Sequence, residues 1–213
     1  MNILQRLWWQ YKLPNHPHHN LFDQYQGDEL VSIDCETTSL DPNHAEIVSI
    51  AAIKIQHNRI LTSKTIHLKL TPPQSLTSDS IKIHHLRHQD LTHGLSEKEA
   101  ITQLIQFIGN RPIVGYHIRY DKKILDRVCL RHLSHPLPNR LIEVSYLYHH
   151  KLEKLLPNAY YDLSIDAISR HLDLPQAERH DALEDAIAAA LIYVRLTYGD
   201  FPDLPKIRNA HRY

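Results

Sequence analysis

Two carboxylates stand two residues apart in Ile33-Asp34-Cys35-Glu36-Thr37-Thr38, directly after the apolar run Leu30-Val31-Ser32-Ile33. A strand alternates its side chains, so Asp34 and Glu36 point to the same side. Like charges held together at a strand's end raise one another's pKa values unless a cation compensates. A third acid, Asp121, follows another apolar run, Pro112-Ile113-Val114-Gly115-Tyr116, where a helix begins. The segment His180-Asp181-Ala182-Leu183-Glu184-Asp185 sets an imidazole five residues before a fourth acid, at another helix start. Singly, each has an ordinary reading: solvated loop acids, an acid favoured by a helix dipole, a capped helix with an incidental histidine. Together, Asp34, Glu36, Asp121 and Asp185 come from strand ends and a helix start, where α/β sheets place their sites. Oxygen-only ligands select hard cations such as Mg²⁺ or Mn²⁺ over zinc. Two such ions about 4 Å apart would clamp the attacking and leaving oxygens of a phosphodiester. His180 would serve as the base, because imidazoles ordinarily titrate near neutrality.

These groups need a scaffold that brings distant segments together. Leu30–Asp34, Ile47–Ile55 and Ile60–Leu70 read as three strands joined by short connections, with Asn58-Arg59 as one turn. Thr71-Pro72-Pro73 ends that meander. Glu97–Ile108 is predicted to be a helix, with Ala100, Ile101, Leu104, Ile105 and Ile108 on its apolar face and Ser96 as its cap. A buried strand over Pro112–Tyr116, a helix over Lys122–Leu133 and a weaker strand over Leu141–Val144 follow. Two last helices are expected, one capped by Asp162 and running through Leu172, the other capped by Asp181 and running through Leu196. The order β-β-β-α-β-α-β-α-α implies an α/β fold: a five-stranded mixed sheet, antiparallel meander then parallel strands, flanked by helices.

The chain has 213 residues, 42% hydrophobic and 23% charged, which is enough for one sizeable core. Three regions are expected: a helical arm and linker over 1–29, the main domain over 30–198 and a basic tail over 199–213. The 24 Lys and Arg balance the 24 Asp and Glu. That argues against a protein that coats long duplexes, but not against an enzyme that grips a few nucleotides. Two cysteines make no disulfide framework, and a cytoplasmic location is expected. No apolar run approaches the ~20 residues of a membrane span, and no signal-peptide pattern opens the chain. The 18 histidines are expected to be drift on solvated surface; a separate zinc site is the alternative, although their spacings match no zinc pattern. In the arm, Ile3, Leu4, Leu7, Trp8 and Tyr11 form a helical stripe, expected to pack back on the domain, with a partner-binding or membrane-surface helix as the alternatives. Lys122, Lys123, Arg127 and Arg131 read as a phosphate-steering face or a solvated one, and Lys206, Arg208, His211 and Arg212 as a loose basic end.

The three acidic segments resemble the motifs of the DEDDh, or DnaQ-like, 3′-5′ exonucleases over about residues 30–197. Asp34 and Glu36 match the first motif, Asp121 the second, and His180 and Asp185 the third. The step from His180 to Asp185 is similar to that of the family's histidine branch; the tyrosine branch would carry Tyr where Asp181 stands. Ile81–Leu86 looks like the family's loop after the third strand. The resemblance implies a ribonuclease H-like fold, two divalent ions (Mg²⁺ or Mn²⁺) and release of nucleoside monophosphates from 3′ ends. It implies that Asp34 is shared by both ions, that Glu36 and Asp185 help hold the water-activating ion, and that Asp121 holds the other. Thr37 and Leu40 match positions that line the terminal nucleotide, and Tyr116, His117 and Tyr120 of the second motif are also expected at the substrate. Ser39 replaces a usual Gly, Tyr116-His117 a common His-Asn, Tyr120 a Phe, and Glu143-Val144 a common Asp-Thr. None of these removes a catalytic match. The expected substrate is the 3′ end of single-stranded DNA, with RNA 3′-end trimming or a non-catalytic nucleic-acid-binding role as alternatives. A polymerase or other protein partner would dock through the arm.

Overall fold

The apolar run that opens at Leu30 continues as strand past both acids. In the computed structural model, which describes residues 1–176 and 180–203, β1 spans Glu29–Thr37. Asp34 therefore sits inside the strand, opposite Ala51, and not at its end. β2 (Ile47–Gln56) and β3 (Arg59–Lys69) complete the antiparallel meander. The turn between them is His57-Asn58, one residue earlier than the sequence suggests, because Arg59 already pairs with Gln56. β4 (Ile113–Gly115) and β5 (Leu141–Glu143) add in parallel, giving the order β3-β2-β1-β4-β5.

The expected mixed five-stranded sheet is thus the observed one, and helices cover both faces. Val31, Ile33 and Cys35 of β1 join a core with α4 (Glu97–Ile108) and α5 (Ile118–Leu133). The other face packs against α6 (Val144–Leu155), α7 (Ile165–His171) and α8 (Ala182–Tyr198). β2 is buried along both faces, so its alternation separates two cores and not core from solvent.

The sequence missed three helices in this domain. α2 (Ser78–His84) and α3 (His88–Leu91) are short, and α6 starts at the residue after β5 with no loop to announce it. α7 is capped by Ser164, not Asp162; the Asp162 carboxylate instead accepts from the Ser164 N–H at 2.9 Å. Asp181 caps α8 as expected, accepting from the N–H groups of Leu183 and Glu184.

The N-terminal helix α1 (Ile3–Lys12) forms, but its stripe does not pack back. Ile3, Leu4, Leu7, Trp8 and Tyr11 are exposed. The opposite side makes the contact: Trp9 stacks on buried Phe22 at 6.1 Å, and Arg6 donates to the carbonyls of Phe22 and Asp23. Next to Phe22, His18 and His135 lie in a pocket where burial lowers both imidazole pKa values. No helix among the described residues is long and apolar enough to cross a membrane. The basic residues Lys206, Arg208, His211 and Arg212 lie outside the described residues.

Candidate active site

β1 runs between α5 and α8, and the acids gather over its C-terminal half. Leu30 and Asp34 share the parity of Glu36 and turn towards α8, which packs on β1 and β2. α8 brings Asp185 in its first turn. Asp34, Glu36 and Asp185 each offer a carboxylate oxygen, and the three lie within 4.8 Å of one another. Glu36 and Asp185 are each only 8% exposed. Three carboxylates this close repel strongly in a half-dry cavity. A hard divalent cation is the chemical partner that an all-oxygen set of this kind fits.

Asp121 enters from the other side, on the first turn of α5. It stands apart from that trio but lines the same cavity, of about 380 Å³. Burial raises its pKa to about 7, and the Glu36 charge pushes the same way, against hydrogen bonds donated by its own backbone N–H and by the thiol and backbone N–H of Cys35. The buried Cys35 thiol is itself pushed well above its ordinary value, by burial first and then by the charges of Asp121 and Asp34.

Two local devices set Asp121 in place. Gly115 lets the β4–α5 turn approach β1: a Cβ there would lie 2.8 Å from the end of Ile118 and 3.0 Å from the Ile33 carbonyl. Glu143, at the end of β5, accepts from the backbone N–H groups of His117 and Ile118, each at 3.0 Å. It thereby caps α5, whose N-cap residue His117 is left-handed at φ 53° and makes no side-chain cap bond. The sequence marked Glu143 only as a departure from the family pattern; its role shows once β5 and α5 are side by side.

His180 also lines the cavity. It is exposed, left-handed at φ 70°, and its N–H donates to Asp185 Oδ2 at 3.3 Å. Thr37, Leu40, Tyr116, His117 and Tyr120 line the cavity too, so all ten residues singled out in the sequence meet there. The hydroxyls of Thr37 and Tyr120 are 2.7 Å apart, and one of them donates to the other while both lie within reach of the Ser39 carbonyl. Leu40 projects at the mouth, 87% exposed.

A wall of the cavity was not foreseen. Thr77, Asp79, Ser80 and Ile83, on and beside α2, close it opposite α5. Of these only Ile83 lies in a segment the sequence marked, Ile81–Leu86, whose first residues belong to a helix that Thr77 and Ser80 cap reciprocally. The basic side of α5 is mostly spent on structure. Arg127 donates to the carbonyls of Pro42, Asn43 and Ala45, fastening the loop after β1; Lys122 pairs with Asp126 and Arg131 with Glu97.

Residues 31–193 match the family model RNase_T, described as an exonuclease. Among curated relatives, the DNA polymerase III epsilon subunit of Rickettsia prowazekii is 28% identical over 179 residues, which cover 79% of this chain and 74% of that one. The PolC-type DNA polymerase III of Thermotoga petrophila is 26% identical over 171 residues, 80% of this chain. The chain spans only 12% of that polymerase's length. Among solved structures, cell-death related nuclease 4 superposes with a TM-score of 0.66 at 19% identity, covering 81% of this chain and 65% of that one. Exonuclease I of E. coli, solved with a dT13 oligonucleotide, gives 0.68 at 13% identity, covering 81% and 41%. At these identities, the structural matches speak for the fold.

Proposed function

The chain belongs to the RNase T exonuclease family, among its DnaQ-like 3′-5′ exonucleases, and on that premise we propose that Asp34, Glu36, Asp121 and Asp185 hold two Mg²⁺ or Mn²⁺ ions for hydrolysis at the 3′ end of single-stranded DNA. The observation that carries this reading is the gathering of three carboxylate oxygens within 4.8 Å, with the buried Asp121 on the same cavity. Bound there, such ions supply Lewis-acid activation of water and neutralise the phosphate. Asp34, Glu36 and Asp185 would hold the ion that activates the water, and Asp121 with Asp34 would hold the other.

The protein's own groups do the rest. His180, on its exposed turn, accepts the proton of the attacking water on a ring nitrogen. The new bond joins the water oxygen to phosphorus, and the bond from phosphorus to the 3′ oxygen of the preceding nucleotide breaks. That oxygen takes a proton from solvent. The products are a nucleoside 5′-monophosphate and a strand one nucleotide shorter. Thr37, Leu40, Tyr116, His117 and Tyr120 hold the terminal nucleotide, the Thr37–Tyr120 bond fixing that wall. A wider trough of about 1000 Å³ shares Leu40, His117 and Tyr120 and continues to Tyr146 and His149. Its aromatic faces suit stacking of the next bases of a single strand.

DNA is favoured over RNA because exonuclease I was solved with a DNA oligonucleotide and the epsilon and PolC relatives are DNA polymerase III components. The exposed stripe of α1 suits docking to a protein partner, and the epsilon relatives suggest a polymerase subunit. The free, buried thiols Cys35 and Cys129 suit a reducing cytoplasm. The main domain is read as residues 30–198, the last of them closing α8.

Matched 5′-labelled DNA and RNA oligonucleotides, incubated with Mn²⁺, Mg²⁺ or EDTA, test this. The expected result is a ladder shortening from the DNA 3′ end with either ion and none with EDTA. Internal cuts, shortening from the 5′ end or full rate in EDTA would overturn it. Faster shortening of the RNA would move the substrate to RNA 3′ ends.

A further inference from the structure

We propose that His16, His18 and His135 form a second metal site, a three-imidazole centre for Zn²⁺ that fastens the N-terminal arm to the exonuclease domain. One nitrogen from each ring lies within 4.8 Å of one from each of the others. The ring centroids make a nearly equilateral triangle, at 5.2, 5.3 and 5.1 Å. His16 and His18 come from the linker after α1, while His135 comes from the turn after α5, more than a hundred residues on. That separation is why no ligand spacing was visible in the sequence.

His135 is already in the tautomer that coordination needs. His135 is wholly buried, and its Nδ1 lies 3.0 Å from the Pro136 carbonyl, so Nδ1 carries the proton and Nε2 keeps a lone pair. A carbonyl behind the ligand ring is the usual partner of metal-bound histidine. His18 Nδ1 is 2.9 Å from that Nε2. An entering cation takes both lone pairs once the His18 proton shifts to its other ring nitrogen. His16 Nδ1 accepts from the His18 N–H at 3.1 Å, so a cation takes that ring's lone pair in place of this hydrogen bond. Phe22 closes the apolar side with its ring 5.5 Å from His135, and the half-buried His16 and His18 leave an entry path. Three neutral nitrogens with a place left for solvent suit zinc and reject the hard ions that fit the acidic site.

The test uses the full chain carrying Asp34→Asn and Asp185→Asn, so that the acidic site contributes no zinc binding. Stripped with a chelator and then given Zn²⁺, this protein should bind one equivalent against a chromogenic competitor, and Zn²⁺ should slow proteolysis of the linker around Pro14–Pro17. Adding His16→Gln and His18→Gln should weaken Zn²⁺ binding by at least ~10-fold and abolish the protection. Circular dichroism checks that these variants stay folded. In the wild-type acidic background, the two histidine changes should leave the Mg²⁺-dependent rate unaltered. No retained Zn²⁺ in the acid-site variant, or equal binding after the histidine changes, would overturn the proposal.

Discussion

Asp121 is the least exposed of the four acids, and its burial has a measurable sign. Its folded pKa is raised from 3.8 to about 7, chiefly by burial. Between those values the folded protein holds a proton that the unfolded chain has released. Metal-free stability should therefore fall as pH rises through this window and level off above it. Asp121→Asn removes the penalty, so at pH 8 it should stabilise the metal-free protein by on the order of 1–4 kcal/mol while abolishing nuclease activity. Thermal melts from pH 4 to 8, with and without Mn²⁺, check this; a flat wild-type profile in EDTA would refute it. His180→Ala should lower the rate about 10²–10⁴-fold, whereas a wild-type rate would mean another group takes the proton. At this scale the sequence was informative. Few residue types bind hard cations, and the two-residue period of a strand already put Asp34 and Glu36 on one side. The cavity wall at Thr77, Asp79 and Ser80 was not legible, because the same residues serve as ordinary helix caps.

At the scale of elements, long amphipathic segments announced themselves. α4 runs over the expected residues, capped by Ser96 and burying the five side chains singled out for it. The short helices α2 and α3 and the abrupt start of α6 gave no periodic pattern of sufficient length. A further source of difficulty is that histidine takes turns where glycine is usual. The chain has only five glycines, and among the described residues four of the seven left-handed non-glycine positions are His57, His85, His117 and His180. Histidine is one of the few side chains that tolerate this region, so part of the histidine excess is backbone geometry and not surface drift. The β5–α5 junction is the element on which the site depends most. Glu143→Ala leaves the N–H groups of His117 and Ile118 without their carboxylate, and should cost about 0.5–2 kcal/mol, the usual range for a lost cap. If Glu143 positions Asp121, the variant should also need more Mn²⁺ for half-maximal activity. An unchanged metal requirement with a lowered melting temperature would confine Glu143 to stability.

For the whole molecule, a formal charge of zero fits an enzyme that holds a short 3′ terminus better than one that coats a duplex. The arm shows the limit of reading amphipathicity as burial: the stripe from Ile3 to Tyr11 is exposed, and Trp9 with Arg6 makes the contact instead. Hydrophobic spacing predicted the helix but not which face would dock. A chain starting at Phe22 should therefore keep its nuclease rate within about 2-fold, since no arm residue lines the cavity; a collapse in rate with the fold intact would place the arm in substrate handling. The central claim is that carboxylates from β1, α5 and α8 act together on a terminal phosphodiester. The most direct measurement is the release of labelled mononucleotide from a 3′-labelled DNA strand in Mn²⁺ by wild-type, Asp34→Asn and Asp185→Asn proteins, prepared in parallel and matched by circular dichroism. Wild-type protein should release nucleoside 5′-monophosphate one unit at a time, and each variant should lose at least ~10³-fold in rate. Release at the wild-type rate by either variant would contradict the assignment of these carboxylates.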